Sequence, residues 1–360
     1  MDSIRIFGYK SFKKLSVQLH PINLLIGANG AGKSNFLSLF EMLGNIYEKR
    51  LGAYVAQVGG VDKLLYQGRK VTDRIAVNLL IAKSEYDLVL LESDGKLIVE
   101  REVVRCYDDV CPLDLVRKSV ITEYQSESSL KDHKEEDLSN YISQIRKFHF
   151  HGTGRRSPFT ADSHIVNDAY RMYEHGENLA AILYRIQREK PMAYRRIIRV
   201  IQSVAPYFSD FYFQPTEADM VRLQWQDKYS SMIYGPTDLS DGTIRFIALT
   251  VLFMQPWLPR VIIIDEPELG LHPVAIEKLS AASTCSLCLS SASCNAASVS
   301  CCALTSPTLA TFPVSTPFSL FPASFGSRGV VPCFGFVRKH TATIPQTATA
   351  ASTTQKVGFL

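Results

Sequence analysis

The chain has 360 residues, 46% of them hydrophobic, with 39 lysines and arginines against 35 aspartates and glutamates and a formal net charge of +4. All 35 acidic residues lie in residues 1–282, which also carry 35 basic residues, so the excess positive charge belongs entirely to residues 283–360. This distribution excludes a uniformly basic nucleic-acid-binding protein.

Hydropathy and cysteine usage predict where the protein is found. The longest apolar stretch, Phe246 to Met254, is far shorter than the roughly 20 residues that a membrane-spanning helix needs. The N-terminus shows no apolar leader segment. Only Cys106 and Cys111 of the eight cysteines lie in residues 1–282, as expected in a reducing compartment. We therefore expect a cytoplasmic protein with no membrane partner.

Hydrophobic periodicity predicts an alternation of strands and helices. Strands are predicted, in chain order, at residues 4–12, 15–19, 22–26, 71–82, 87–92, 96–104, 210–215, 220–226 and 260–265, with a hairpin turn at Ser93-Asp94-Gly95. Helices are predicted at residues 33–47, 178–188, 193–204 and 243–254. Residues 106–145 are polar, charged and only weakly periodic.

The first chemical motif follows the apolar run 22–26. It reads Gly27-Ala28-Asn29-Gly30-Ala31-Gly32-Lys33-Ser34 and fits the pattern GxxxxGK[ST]. Its glycines let backbone N–H groups point at phosphate oxygens, and the N-terminus of the following helix adds its dipole. Lys33 is predicted to reach the β- and γ-phosphates of ATP, and Ser34 to bind Mg²⁺. The alternative is an ordinary glycine-rich turn between a strand and a helix.

The second motif is the apolar run Val261 to Ile264 followed by Asp265, Glu266 and Pro267. The run predicts a central parallel strand, and open α/β sheets bind ligands at the carboxyl ends of such strands. Asp265 is predicted to hold Mg²⁺, directly or through water, and Glu266 to orient or deprotonate the attacking water. A buried strand that merely ends in an acidic turn is the alternative.

The third motif is Leu239-Ser240-Asp241-Gly242-Thr243, which precedes a predicted helix and lies 25 positions before the second motif when counted from Ser240 to Asp265. The Ser240 hydroxyl, the Gly242 backbone and the helix N-terminus together predict a second anion site. An N-capped helix without a ligand gives the same pattern. The motif therefore indicates an anion site mainly because of its position before Asp265.

In this order, the three motifs resemble the ABC-type ATPases of the RecF, SMC and AAA-21 group. The similarity extends over residues 2–282 and includes Tyr9-Lys10-Ser11-Phe12, Phe148-His149-Phe150-His151, Asn178-Leu179-Ala180-Ala181 and residues 238–246. It implies an α/β fold, namely a P-loop NTPase of the ABC-ATPase head type with a parallel core sheet, an N-terminal antiparallel sheet and a helical insertion.

The resemblance divides the chain into four expected segments. They are an N-terminal ATPase lobe with the P-loop (1–105), an insertion with helices (106–230), a lobe with LSDGT and the carboxylates (231–282), and an aberrant low-complexity tail that is not natively folded (283–360).

In the family, two heads dimerise head to tail, and each ATP lies between the P-loop and carboxylates of one head and the LSxG of the other. Carried over, Ser240 and Gly242 contact the γ-phosphate bound by Lys33 of a second copy, and Leu269 to His272 lie at the dimer seam. The resemblance implies ATP and Mg²⁺ as cofactors and an ATP-dependent homodimer. DNA and a partner nuclease are further expected partners, in DNA repair or in defence against foreign DNA.

Two features of the family are not located by the resemblance. Both Gln57 and Gln67 follow the P-loop at distances that suit the family's Q-loop glutamine. The family also continues after residue 282 with a strand that ends in a switch residue, and no such strand is recognisable here. Residues 283–360 contain six cysteines but no acidic residue. We therefore interpret them as a frameshifted translation; a natural low-complexity extension is the alternative.

Three other interpretations stay open at this stage. A nucleotide-binding interaction module with impaired hydrolysis would share every motif. A transporter ATPase subunit is a further alternative, but the long insertion between the P-loop and LSDGT and the RecF-like segments argue against it. His149 and His151 alternate on a predicted strand and so share one face, which would suit a metal site, but no cysteine or carboxylate nearby in the sequence completes one.

Overall fold

The computed structural model describes residues 1–107, 116–133, 136–151, 157–281, 299–304 and 318–322. Its strands are β1 (Ser3–Tyr9), β2 (Phe12–Gln18), β3 (Ile22–Ile26), β4 (Arg74–Ile81), β5 (Ser84–Ser93), β6 (Lys96–Tyr107), β7 (Val116–Gln125), β8 (Ile145–Phe148), β9 (Ser163–His164), β10 (Phe208–Tyr212), β11 (Met220–Val221), β12 (Gln224–Asp227), β13 (Ile233–Tyr234), β14 (Val261–Asp265), β15 (Val299–Leu304) and β16 (Phe318–Pro322). The helices are α1 (Lys33–Tyr47), α2 (Leu51–Val58), α3 (Glu136–Ser143), α4 (Leu179–Glu189), α5 (Pro191–Val204) and α6 (Asp241–Met254), followed by a helix over residues 273–281. Within these ranges, no helix has the length and apolar character needed to span a bilayer.

An antiparallel sheet of six strands, in the order β2-β1-β4-β5-β6-β7, is built from the N-terminal part of the chain. Buried and partly exposed residues alternate along β4 and along most of β5. One face of this sheet therefore packs into a core, and the other face meets solvent. The predicted hairpin turn joins β5 to β6, and Asp94 and Gly95 there have φ values of 49° and 78°, as a two-residue hairpin turn requires.

A parallel sheet of five strands, in the order β16-β3-β15-β14-β8, forms the second layer. Its strands come from distant parts of the chain, and β8 lies within residues 106–230, which were expected to form an insertion. The predicted α/β class, with a parallel core sheet and an N-terminal antiparallel sheet, is confirmed by these two sheets.

Strand β15 corrects one expectation from the sequence. Val299–Leu304 lies between β3 and β14 and pairs with both in parallel, so a strand does occupy the position where none was recognisable. The reason lies in the backbone: a strand between two others is held by main-chain hydrogen bonds on both edges and needs no recognisable side-chain pattern. Of the predicted tail, 283–360, only β15 and β16 are described, and the rest lies outside the described residues.

Strand β14 is buried on both faces and separates two hydrophobic cores. Val261 and Ile263 belong to the core that contains α1 and the antiparallel sheet. Ile262 and Ile264 belong to the core that contains α4, α5 and α6. Because successive side chains of a strand point to opposite faces, an unbroken apolar run serves both cores. This packing fixes the end of β14, where the two acidic residues follow.

A carboxyl group lies fully buried in the antiparallel sheet, away from the motifs. Glu102 is 0% exposed, and it accepts hydrogen bonds from the hydroxyls of Tyr86 (2.5 Å), Thr122 (2.7 Å) and Ser128 (2.6 Å) and from the backbone N–H of Ser129 (3.2 Å). These bonds join three strands and the segment that follows β7.

We expect Glu102→Ala to destabilise the fold by about 3–5 kcal/mol, because three buried hydroxyl groups and one half-buried N–H lose their acceptor. Urea denaturation followed by circular dichroism measures this change. Glu123→Ala is the matched control, since Glu123 is an exposed glutamate on β7 opposite Arg101, and its loss should change the free energy of unfolding by less than about 1 kcal/mol. Equal effects of the two substitutions would contradict a structural role for the Glu102 network.

Candidate functional site

The P-loop sequence lies between β3 and α1, as the pattern predicted. Gly32 caps α1 with a φ of 94°, a left-handed conformation that favours glycine over any other residue. Lys33 is 7% exposed, and its Nζ donates hydrogen bonds to the carbonyl oxygens of Gly27 (2.6 Å) and Ala28 (3.0 Å). The ammonium group thus lies inside the curve of the loop. The loop fits a phosphate, because the Lys33 ammonium can replace its hydrogen bonds to the two carbonyl oxygens with hydrogen bonds to phosphate oxygens without leaving the loop.

The two carboxylates lie at the same edge of the parallel sheet as the P-loop. Ile26, the last residue of β3, pairs with Leu304, and Asp265, the last residue of β14, pairs with Ala303. The two strands therefore end at the same level with β15 between them, about 10 Å apart at a strand spacing of about 4.8 Å. The sheet brings together the loop and the carboxylates that the sequence placed more than two hundred positions apart.

The donors at this edge suit magnesium. The Asp265 carboxylate is half-buried and the Ser34 side chain is exposed, and both offer the oxygen ligands that Mg²⁺ prefers. Among the described residues there is no group of three or more His, Cys, Asp or Glu side chains that could hold a metal. A magnesium ion here would therefore take its remaining ligands from water and from phosphate oxygens, as is common for Mg²⁺.

Glu266 adopts a strained backbone conformation directly after β14. Its φ is 49°, which is uncommon for a residue other than glycine and costs of order 1–3 kcal/mol. The strain turns the chain sharply at the end of the strand, and the Glu266 carbonyl then accepts a hydrogen bond from the Leu269 N–H at 3.2 Å. Strain of this kind clusters at functional sites.

The histidine pair lies beside Glu266. Strand β8 ends at Phe148, so His149 and His151 follow the strand and do not lie within it, which corrects the sequence prediction. Their rings lie close together, with centroids 3.8 Å apart and planes tilted by 44°. His151 Nε2 lies 3.3 Å from Glu266 Oε2, so a carboxylate is close in space although none is close in sequence. Burial, followed by the charge of His151, lowers the pKa of His149, and Asp265 opposes this shift.

Arg245 on α6 connects the histidine segment to the segment after β14. Its Nε donates to the Phe150 carbonyl (2.9 Å), Nη2 to the His151 carbonyl (3.2 Å) and Nη1 to the Leu269 carbonyl (2.9 Å). Arg245 was part of the sequence that carried the resemblance, but the sequence assigned it no role. Contacts between positions so far apart in the chain have no signal in a single sequence.

The third motif forms the N-terminus of α6. Ser240 caps the helix by accepting a hydrogen bond from the Thr243 N–H at 3.2 Å, which is the alternative interpretation weighed from the sequence. Gly242 lies against the segment after β14: a Cβ there would be 2.4 Å from the Gly270 carbonyl oxygen. Close packing within the chain therefore already requires glycine at position 242. The exposed Ser240 side chain stays available to a ligand.

The two candidate Q-loop glutamines lie elsewhere. Gln57 is on α2, and Gln67 has a φ of 57° in the turn after the bridge between Tyr9 and Leu65. In the described part of the chain, no hydrogen bond or ion pair joins either residue to Lys33, Asp265 or Glu266. Strand β8 is a neighbour of β14 in the sheet, and the segment that follows β8 carries His149 and His151.

Residues 235–281 match the family model described as "AAA domain, putative AbiEii toxin, Type IV TA system". The resemblance to AAA-21 ATPases is confirmed over this segment. It contains the LSDGT sequence, β14 and both acidic residues. No curated protein sequence matches the chain significantly.

Two of the solved structures that match the chain are SMC heads. An SMC head bound to the C-terminal winged-helix domain of ScpA is 14% identical; the match covers 84% of this chain and 88% of that one, with a TM-score of 0.48. The SMC head domain from Thermotoga maritima is 15% identical, with 85% and 89% covered and a TM-score of 0.37.

Proposed function

We propose that the chain binds Mg²⁺-ATP and hydrolyses it at the edge of the parallel sheet where β3 and β14 end. The observation that carries this proposal is the common level of the P-loop and the Asp265–Glu266 pair, set by the strand pairing through β15. The buried ammonium group of Lys33 inside the loop supports a phosphate ligand. The match of residues 235–281 to an AAA family model supports the same class of protein.

Each proposed site residue has a physical role. The backbone N–H groups of residues 27–34 and the Lys33 ammonium bind the phosphates. Ser34 and Asp265 hold Mg²⁺, which neutralises charge on the phosphate oxygens when it is bound. Glu266 accepts a proton from water as the water oxygen bonds to the γ-phosphorus and the bond to the bridging oxygen breaks. The products are ADP and inorganic phosphate.

We further propose that the site is completed by a second copy of the chain. Ser240 caps α6, and Gly242 in the first turn lies against Gly270 of its own chain; no described contact joins either residue to Lys33. A second copy placed head to tail would bring them to the γ-phosphate, with Leu269 to His272 at the seam. DNA, a partner nuclease and a place in DNA repair or defence are proposals that rest on the sequence resemblance alone.

A nucleotide-binding interaction module with impaired hydrolysis is the second candidate. The observation in its favour comes from the sequence: the family places a switch His or Gln directly after a strand, and the first His or Gln after β15 in this chain is His340. The two candidate functions differ in whether Glu266 controls the rate at which ATP is hydrolysed to ADP and phosphate.

A mixing experiment tests hydrolysis and the shared site together. Lys33→Ala should inactivate the P-loop and Ser240→Arg the LSDGT motif, so each variant alone should release no phosphate from ATP. In a head-to-tail dimer of the two variants, one site combines an intact P-loop with an intact LSDGT motif. An equal mixture should therefore recover roughly a quarter of the wild-type rate, because half of the dimers are mixed and each has one intact site.

The controls separate the parts of the proposal. Each variant mixed with itself should stay inactive at the same total concentration. Wild-type activity without recovery in the mixture would contradict the shared site and leave hydrolysis standing. Absence of wild-type activity would contradict hydrolysis itself.

A further inference from the structure

The side chain of His151 is placed at the sheet edge in a way that packing does not explain. Both ring nitrogens are buried, and neither has a hydrogen-bond partner among the described residues. Nε2 lies only 3.3 Å from Glu266 Oε2, a distance that suits a hydrogen bond, but the ring is not aligned to make one. Buried polar atoms usually have partners, so two unpaired nitrogens beside a carboxylate point to a ligand or a rearrangement on binding.

The direction of the imidazole follows from the segment after β8. Phe148 and Phe150 are 1% and 5% exposed and belong to the core around α6. His149 and His151 do not belong to that core, and their rings lie against each other at a tilt of 44° with centroids 3.8 Å apart. The backbone at Phe150 and His151 is fixed by Arg245. The His151 ring therefore rests against the His149 ring, and Arg245 on α6 holds the His151 backbone.

We infer that His151 is a positioning residue for Glu266 in ATP hydrolysis, an inference that rests on the proposed function. When phosphate and water fill the edge of the sheet, His151 Nε2–H donates a hydrogen bond to one oxygen of Glu266. This bond leaves the second carboxylate oxygen directed at the attacking water. The strained backbone of Glu266 places the carboxylate in reach of the ring but does not fix its rotation, and the imidazole supplies that constraint.

A transition-metal site is the competing explanation for the histidine pair. Tight binding of zinc in proteins usually takes four ligands, or three with an open position. The described residues contain no group of three or more metal-binding side chains. The geometry therefore favours a hydrogen-bonding role over a metal-binding one.

Steady-state ATP hydrolysis by the full chain tests the role of His151. In His151→Ala, kcat should fall about 10- to 100-fold through loss of orientation, while equilibrium ATP binding, measured with a fluorescent ATP analogue, changes by less than about threefold because the P-loop is untouched. His151→Gln should recover part of kcat, since its amide can donate from a similar position. His175→Ala is the matched control: its ring lies near His149, and it shows no contact with Glu266.

A double variant separates positioning from a merely structural role. If His151 acts through Glu266, adding His151→Ala to Glu266→Gln should lower kcat by less than about threefold further, because the two effects are coupled. Independent, multiplying losses would overturn the inference, as would an unchanged kcat in His151→Ala or a loss shared equally by His175→Ala. Those results would leave the proposed function intact if wild type hydrolyses ATP. A wild type that hydrolyses no ATP would overturn both.

Discussion

Replacing Lys33 with alanine is expected to abolish ATP binding at micromolar nucleotide. The Lys33 ammonium is buried inside the loop and already holds two carbonyl oxygens, so it would meet the phosphate oxygens from a fixed position. Removing one partner of such a buried charged contact costs about 2–5 kcal/mol, which corresponds to roughly 30- to several-thousand-fold weaker binding. Isothermal titration with ATP and Mg²⁺ measures the change directly.

The matched control for this variant is Lys14→Ala. Lys14 is an exposed lysine on β2, so its loss removes the same charge from the chain without touching the loop. Thermal unfolding of both variants should resemble that of wild type, because the carbonyl groups of Gly27 and Ala28 can bond to water once Lys33 is removed. ATP binding that survives in Lys33→Ala would mean that the loop is only a turn between a strand and a helix.

Glu266→Gln is expected to separate ATP binding from ATP hydrolysis. The amide keeps the size of the side chain and cannot accept the proton of the attacking water, so kcat should fall by about 100-fold or more. ATP affinity should stay within about threefold of wild type, because the P-loop contacts are unchanged. Unable to turn over, the variant should accumulate in the ATP-bound complex of two copies.

Sedimentation velocity detects that complex. With ATP and Mg²⁺, Glu266→Gln should shift from the 40.3 kDa chain to a species of twice the mass, and removal of Mg²⁺ should reverse the shift. Glu277→Gln is the control, since Glu277 is an exposed glutamate on the helix over residues 273–281. A mass that does not depend on ATP in Glu266→Gln would contradict assembly around the nucleotide.

The parts of the site that were predictable are those with a strong local pattern. The helix at 33–47 was predicted with both ends as α1 has them, because a glycine-rich loop precedes it and its apolar residues repeat at helical spacing. The strand that ends at Asp265 was evident from an unbroken apolar run, which only a strand between two cores needs.

The bounds of strands β7 and β8 were not predictable from the same signals. β7 is an edge strand within a polar segment, and pairing with β6 holds it in the sheet. β8 has only four residues, and two of them, Arg146 and Lys147, are cationic. Its place in the core sheet comes from pairing with β14, which lies more than a hundred positions away. Long-range pairing leaves no pattern in one short segment.

The contact between His151 and Glu266 follows from that same pairing. Because β8 and β14 are parallel neighbours, the residues that follow them meet at one edge of the sheet. From the sequence, His149 and His151 were a pair without a carboxylate, and the structure supplies one. The sequence could name the chemistry of each segment, but only the sheet order shows which segments work together.

Phosphate release from ATP by the wild-type chain, measured beside Glu266→Gln and Glu277→Gln, is the most direct test of the proposed hydrolysis. The account predicts Mg²⁺-dependent turnover in wild type and Glu277→Gln, and a rate lower by about 100-fold or more in Glu266→Gln. Turnover that is the same in all three proteins would contradict it, because the carboxylate at the end of β14 would then have no part in the reaction.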